Sequence, residues 1–224
     1  MRSVNLEKNH PILYSFKRCP YAMRARMALY LTDTSCEHRE VSLNDKPSSM
    51  LEASSKGTVP VLILNSGEII DESIDIVNWV LQQNNVFNQN LESSQEIYTE
   101  EKIKLFDGDF KFNLDRYKYA SRYEDADANE HRELCLQILR DLDRDKNESI
   151  WFFDKEVNKI DISILPFIRQ FRIANIKWFD ELDEIHAIKK WLSVFLESNL
   201  LKNIMIDYDK WAPGSPRVFF PKDQ

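Results

Sequence analysis

Ser15-Phe16-Lys17-Arg18-Cys19-Pro20-Tyr21-Ala22-Met23-Arg24-Ala25-Arg26 is the stretch on which the fold turns. The apolar run Ile12-Leu13-Tyr14 leads into it, and the helical pattern Met23, Met27, Tyr30, Leu31 leads out. Between them a cysteine is followed at once by proline. Pro20 suits the first position inside a helix, where its missing N–H would have no partner anyway. That predicts Cys19 at the N-cap, facing the open N–H groups and the positive end of the helix dipole. Such a position stabilises a thiolate, the reactive form of cysteine. From Lys8 to Thr32 there is no Asp or Glu, but there are Lys8, Lys17, Arg18, Arg24 and Arg26. A chain of formal charge −7 keeps one cationic window, and Cys19 lies inside it.

Outward from that stretch, the pattern predicts a compact α/β unit. Residues 11–16 read as a buried strand, and the Cys19 helix runs to about Leu31. Cys36 to Leu43 reads as a second strand, followed by a turn at 44–49 and a short helix from Met50 to Ser54. Thr58 to Leu64 reads as a third strand, and Asn65-Ser66-Gly67 as a hairpin turn into Glu68-Ile69-Ile70. A helix opens at Asp71-Glu72-Ser73, with Ile74, Val77 and Leu81 on one face. The order is βαβαββα within residues 1–84.

The polar stretch 85–94, rich in Asn and Gln, has no helical stripe and reads as a linker. Residues 95–224 then read as an all-helical domain. Ile103, Phe106, Phe110, Leu114 and Tyr117 form one stripe, and Cys135, Ile138, Leu139 and Leu142 another. Asn158-Lys159-Ile160-Asp161 has the pattern of a capping box, opening a helix with Ile164, Ile168 and Phe171. Glu181 to Leu200 carries one further stripe. The tail from Tyr208, with three prolines and Trp211, is expected to pack over the surface.

Composition narrows the function classes. At 43% apolar and 30% charged residues, the chain has material for a real core. No apolar run approaches the ~20 residues that a membrane span needs. The N-terminal residues lack an apolar signal region, so a cytoplasmic location is expected. Cys19, Cys36 and Cys135 are an odd number at unrelated spacings, which fits a reducing compartment rather than a disulfide framework. The acidic balance argues against nucleic acid as a partner. Four glycines are too few for a Gly-rich phosphate loop. His10, His38, His131 and His186 are scattered without ligand-like neighbours, so no metal is expected.

Two further features bear on chemistry. Pro60 falls in a run that otherwise reads as a strand, so either it starts an edge strand in the trans form or a cis Val59–Pro60 bond turns the backbone there. Glu72-Ser73 stands at a helix start, whose open N–H groups either hold a ligand carboxylate or are merely capped by Asp71 or Ser73.

Cys-Pro-Tyr-Ala at the first helix, Thr-Val-Pro-Val before the third strand and Asp-Glu-Ser-Ile-Asp-Ile-Val at the third helix together resemble the N-terminal half of the glutathione S-transferase family. The polar linker and helical remainder extend the resemblance over nearly the whole chain. Within the family it is most similar to the cysteine-type, omega-like group and the two-domain bacterial glutaredoxins. Asp115 to Tyr119, Leu165 to Phe171 and Trp211-Ala212-Pro213-Gly214 resemble bacterial members. The resemblance implies a thioredoxin-like domain with a mixed four-stranded sheet, followed by an all-α domain. It implies glutathione as co-substrate, a small electrophilic or disulfide second substrate, and a homodimer.

Residue by residue, it implies that Cys19 forms a mixed disulfide with glutathione. The Val59 backbone, before a cis Pro60, would pair with the cysteinyl part. Glu72 and Ser73 would hold the γ-glutamyl end, and Lys46, in a Lys-Pro pair, the glycyl end. Tyr21, Phe110, Tyr117 and Trp211 are the candidates to line a second pocket, against core packing as the plainer role. Ala22 departs from a Cys-x-x-Cys pair, so a second glutathione would have to resolve the mixed disulfide. The expected activity is thiol transfer, as in deglutathionylation or dehydroascorbate-type reduction. Conjugation of glutathione to electrophiles is the enzymatic alternative, and a non-catalytic glutathione-binding regulator the alternative of another class.

Overall fold

The computed structural model describes residues 10–84 and 91–222. The chain divides into two compact units, residues 1–84 together with 203–224, and residues 85–202.

The first unit is built on a mixed sheet. Its elements in chain order are β1 (Ile12–Ser15), α1 (Pro20–Leu31), β2 (Cys36–Glu40), α2 (Ser48–Ala53), β3 (Val61–Ile63), β4 (Ile69–Ile70) and α3 (Ser73–Gln83). β1 runs parallel to β2, with Tyr14 opposite Arg39, and antiparallel to β3, with Tyr14 opposite Val61. β3 and β4 form the antiparallel hairpin. The parallel step needs a crossover, which α1 supplies. α1 is buried on nearly every side, from Ala22 through Leu29. An apolar core gathers Tyr14, Ala22, Val41, Met50, Val59 and Val61.

The tail departs from the sequence-based expectation. Rather than lying on the surface of a helical domain that ends at 224, residues 203–224 belong to the first unit. They add β5 (Phe219–Phe220), antiparallel to β2, so the sheet order is β4-β3-β1-β2-β5. The outer edge of β2 would otherwise present unpaired N–H and C=O groups. Here His38 N–H donates to the Val218 carbonyl at 2.8 Å, and Trp211 N–H to the Glu40 carbonyl at 2.9 Å. The His38 ring packs on Tyr208 at 4.1 Å, and Phe220 is fully buried. Two strands are also shorter than the sequence suggests. β2 ends at Glu40 rather than Leu43, and β3 begins at Val61, after Pro60.

The second unit is helical. α4 (Ser93–Leu105) opens with a capping box between Glu92 and Gln95, so the last part of the expected linker is helix, while 85–90 lie outside the described residues. A π-helical stretch, Phe106–Phe110, joins α4 to α5 (Lys111–Lys118). α6 (Ala128–Asp145) is capped by the Asp127 carboxylate, which accepts from Asn129 and Glu130 N–H. α7 (Lys159–Ala174) carries the capping box expected at Asn158 and Asp161. The buried Asp161 carboxylate also accepts from Phe152 N–H and Trp191 Nε1. The single stripe expected over 181–200 is instead divided among α8 (Ile176–Glu181), α9 (His186–Glu197) and α10 (Asn199–Ile204). Ile185 interrupts it with a left-handed φ of 51°, a conformation that no right-handed helix runs through.

Candidate functional site

Cys19 is the N-cap of α1, in extended conformation, with Pro20 at the first helical position. Its carbonyl accepts the first helical hydrogen bond, from Met23 N–H at 2.9 Å. The thiol is half-buried and donates to the Val59 carbonyl oxygen at 3.7 Å. The side chain thus lies at the end of a helix dipole and against the loop that enters β3, two positions far apart in sequence.

The Val59–Pro60 peptide is cis. Pro60 precedes the first paired residue of β3, so its missing N–H removes nothing from the ladder. β3 itself is internal, between β4 and β1, which sets aside the reading of an edge strand opened by a trans proline.

Glu72 is the N-cap of α3 and Ser73 its first residue. The Glu72 side chain does not cap the helix. It pairs with Lys56, whose Nζ lies 2.6 Å from Glu72 Oε1 and 3.0 Å from Asp71 Oδ1. Asp71 in turn accepts from the Ser54 hydroxyl at 2.6 Å. That hydroxyl, then Lys56, hold the Asp71 carboxyl below its usual range. Ser73 is buried, and its hydroxyl accepts from Arg24 Nη1 at 3.1 Å, so α1 and α3 are tied together beside the Cys19 end of α1.

Lys46 is exposed in the approach to α2. Its ammonium lies over Gly57, where an added Cβ would meet Nζ at 3.4 Å. Gly57 has a φ of +62° in the same loop that carries Val59. Lys46, Val59 and Cys19 therefore converge on one loop.

The cationic window changes character in three dimensions. Arg24 and Arg26 are not solvent-facing charges but fully buried ones. Arg26 Nε donates to the Ile204 carbonyl at 3.0 Å, and its other nitrogens donate to Ser15 Oγ and to the carbonyls of Phe16 and Lys17. Lys17 pairs with Asp207 of the tail. Lys8 lies outside the described residues. A sequence signal for the burial of the two arginines exists. Ala22, Met23, Ala25, Met27, Ala28 and Leu29 leave α1 no polar face, and a helix apolar all round is a buried one.

The expected second-pocket residues separate. Trp211 packs edge-on to Tyr14 at 5.9 Å, under the Arg39 guanidinium at 4.3 Å, and rests on the same apolar cluster as Cys19. Tyr21 is half-buried on α1, with Arg24 over its ring at 5.6 Å. Phe110 is core of the second unit, fully buried and stacked on Phe106 at 4.3 Å. Tyr117, also in the second unit, packs on Phe171 and Trp178. A cavity of about 340 Å³ within that unit is lined by Asp143, Lys146, His186, Lys190 and Trp191 among others, and none of the expected site residues borders it.

Cys36 and Cys135 are buried thiols without a site. Burial pushes Cys36 far above the usual thiol range and Cys135 up to about 12. Lys56 and Arg39 are site neighbours that no sequence motif marks. Among the described residues, no three His, Cys, Asp or Glu side chains gather as a metal site, and no helix is long and apolar enough to cross a membrane.

Residues 13–90 match the family model for the glutathione S-transferase N-terminal domain. That match covers this domain alone, and the structure has the fold of solved glutathione transferases, a thioredoxin-like domain with a mixed sheet followed by helices. Among curated relatives, the probable glutathione S-transferase parA of Nicotiana tabacum is 24% identical over 176 residues, 74% of this chain and 75% of that one. Among solved structures, the Tau class glutathione S-transferase of mango, Mangifera indica, superposes with a TM-score of 0.76 at 19% identity, covering 89% of this chain and 94% of that one. A glutathione transferase family member from Pseudomonas fluorescens, solved with two glutathione bound, gives a TM-score of 0.75 at 15% identity, over 88% and 92% of the two chains.

Proposed function

We propose that the protein is a glutathione-dependent thiol transferase of the cysteine type, working through a mixed disulfide between Cys19 and glutathione. The observation that carries this reading is the half-buried Cys19 thiol at the start of α1, in contact with the Val59 carbonyl. A helix N-terminus lowers the free energy of a thiolate placed there. In the first step, the Cys19 thiolate attacks the glutathionyl sulfur of a mixed disulfide R–S–S–G. The S–S bond of R–S–S–G breaks, R–S⁻ leaves and takes a proton, and Cys19–S–S–G remains. In the second, the thiolate of free glutathione attacks the glutathionyl sulfur, which releases the Cys19 thiolate and oxidised glutathione. Residue 22 is Ala, so no neighbouring protein thiol competes with this second step.

The bound glutathione is placed by the Val59 backbone at its cysteinyl part, by Glu72 and Ser73 at its γ-glutamyl end and by Lys46 at its glycyl end. Its two carboxylates and one ammonium suit a lysine, a helix N-terminus and one acidic side chain. Trp211 and Tyr21 belong to the side that receives the second substrate. The protein is expected to act in the reducing cytoplasm, as a homodimer.

A second reading, conjugation of glutathione to a small electrophile, draws support from the tobacco and mango relatives, both transferases by name. Against it stands the cysteine beside the bound thiol, which favours disulfide exchange over mere activation.

Incubation with oxidised glutathione tests the reading. Intact mass is expected to rise by one glutathionyl group, to stay unchanged in Cys19→Ser, and to rise normally in Cys36→Ser and Cys135→Ser. A wild-type protein without an adduct at Cys19 would overturn the mechanism. Turnover of an aryl halide without turnover of a disulfide would favour conjugation.

A further inference from the structure

We infer that the cavity between the end of α6 and the start of α9 is a binding site for the phosphate monoester of a small polyhydroxyl compound. It lies wholly in the helical unit and is independent of the glutathione reading above.

The cavity measures about 340 Å³, at the small end of the roughly 300–1,000 Å³ spanned by ligand pockets. Asp143, Lys146 and Glu148 line it from α6 and the loop that follows, and Ala187, Lys190 and Trp191 from α9. Its wall is thus charged rather than apolar. Trp191 adds a ring but no donor, since its Nε1 is already bonded to Asp161 Oδ1 at 2.7 Å.

Two ammonium groups border this space. Lys146 is buried, and its Nζ donates to the carbonyls of Asn147 at 2.9 Å and Ser149 at 2.7 Å. An ammonium has three N–H donors, so one is left over. Lys190 is exposed and, among the described residues, has neither a hydrogen bond nor an ion pair for its side chain. Burial holds the Lys146 ammonium below its ordinary value; Asp161 and then Glu148 oppose this, while the Lys190 charge adds to it. Two cations that repel each other, one of them desolvated, are relieved by an anion placed between them. A phosphate monoester carries close to two negative charges at neutral pH and three strong acceptor oxygens, which matches two ammoniums better than a single carboxylate does. The start of α9 adds backbone donors. Asp143 Oδ1 takes the Ile188 N–H at 2.8 Å, but the N–H groups of His186 and Ala187 meet no partner among the described residues.

The two carboxylates select the rest of the ligand. Glu148 is exposed and pairs with neither lysine, and Asp143 keeps its second oxygen after accepting from Ile188. Ionised carboxylates accept and never donate, so they disfavour a bare polyanion and favour hydroxyl groups. A phosphate carried on a polyol brings the anion to the lysines and hydroxyl donors to the carboxylates in one molecule.

Amide NMR spectra of the protein, titrated with glucose 6-phosphate, test the site. Saturable shifts are expected at Lys146, Ala187, Ile188 and Lys190, with a dissociation constant below about 1 mM. Inorganic phosphate is expected to bind the same amides roughly tenfold more weakly, and glucose not to bind, because each supplies only half of the contacts. Lys190→Met changes an exposed side chain, so the melting temperature without ligand should stay the same. Its affinity for glucose 6-phosphate should fall at least about tenfold, as for a lost charge-assisted hydrogen bond. Glu148→Gln should narrow the preference for glucose 6-phosphate over inorganic phosphate. No saturable shift at these amides, or an unchanged affinity in Lys190→Met, would overturn the site. Inorganic phosphate binding as tightly as the sugar phosphate would overturn the polyol assignment.

Discussion

Cys19 Sγ lies 3.7 Å from the carbonyl oxygen of Val59, so the thiol at the head of α1 faces the loop that enters β3. It is half-buried, whereas Cys36 and Cys135 are fully buried and their thiols are held above the usual range by burial. Alkylation should therefore be selective. With iodoacetamide at pH 8, Cys19 is expected to react at least about a hundredfold faster than the other two, because only accessible thiolate is attacked. Peptide mapping after brief labelling reads the rates, and denaturant should make all three comparable. Early labelling of Cys36 or Cys135 in the native protein would contradict the burial.

Arg26 joins the start of α1 to the tail through its bond to the Ile204 carbonyl. Arg26→Met would leave that carbonyl, the Ser15 hydroxyl and the Phe16 and Lys17 carbonyls short of a donor. The expected loss is about 2–4 kcal/mol, as for several buried acceptors left without their donor. Urea denaturation measures it, and limited proteolysis should cut the tail sooner. A variant within about 0.5 kcal/mol of the wild type, the range of a surface substitution, would show that the network contributes little.

How much of this was legible in the sequence depends on the reach of the interaction. The N-cap position of Cys19, the helix start at Ser73 and the capping box at Asn158 are local, set by residues within one turn, and all three elements begin where the pattern places them. Arg24 and Arg26 read as a solvated cationic window because their partners, Ser73 and Ile204, are 49 and 178 residues away. The tail was illegible for the same reason. Phe219 and Phe220 look like any two apolar residues until β2 offers an open edge. The break at Ile185 carried no Gly or Pro signal, since a β-branched residue is an unusual occupant of a left-handed position.

His38 links the tail to pH. Its imidazole is buried between Tyr208 and Phe220, with Nε2 at 3.1 Å from Glu40 Oε2. Burial holds it below its ordinary value of 6.5, aided by the Arg26 charge, while the Glu40 carboxylate opposes the shift. A depressed value in the folded state means that the unfolded chain takes up the proton first as pH falls. The contribution of His38 is thus present above pH 6.5 and is lost as pH falls from there toward the folded value. Between pH 7.5 and 5.5, the melting temperature of the wild type should fall more than that of His38→Phe, which keeps the ring but cannot be protonated. Parallel profiles for the two proteins would remove His38 from the account.

Trp211 offers the sharpest division between the two substrates proposed for the site. Its ring lies on the cluster that holds Cys19, but no glutathione-binding role falls to it. It is fixed by the Glu40 carbonyl, by Tyr14 and by the Arg39 guanidinium, all within the first unit. Trp211→Ala removes an aromatic wall worth about 1 kcal/mol to an apolar second substrate, which corresponds to roughly a fivefold rise in its KM. The dissociation constant for glutathione should stay within about twofold, since no ligand contact on that side is removed. Trp211→Phe keeps an aromatic face and should restore most of the affinity. Steady-state kinetics with a small aromatic disulfide, alongside calorimetry with glutathione, separates the outcomes. A KM that does not move would take Trp211 out of the substrate side, and a joint loss of both affinities would mean that its part is to hold the tail in place.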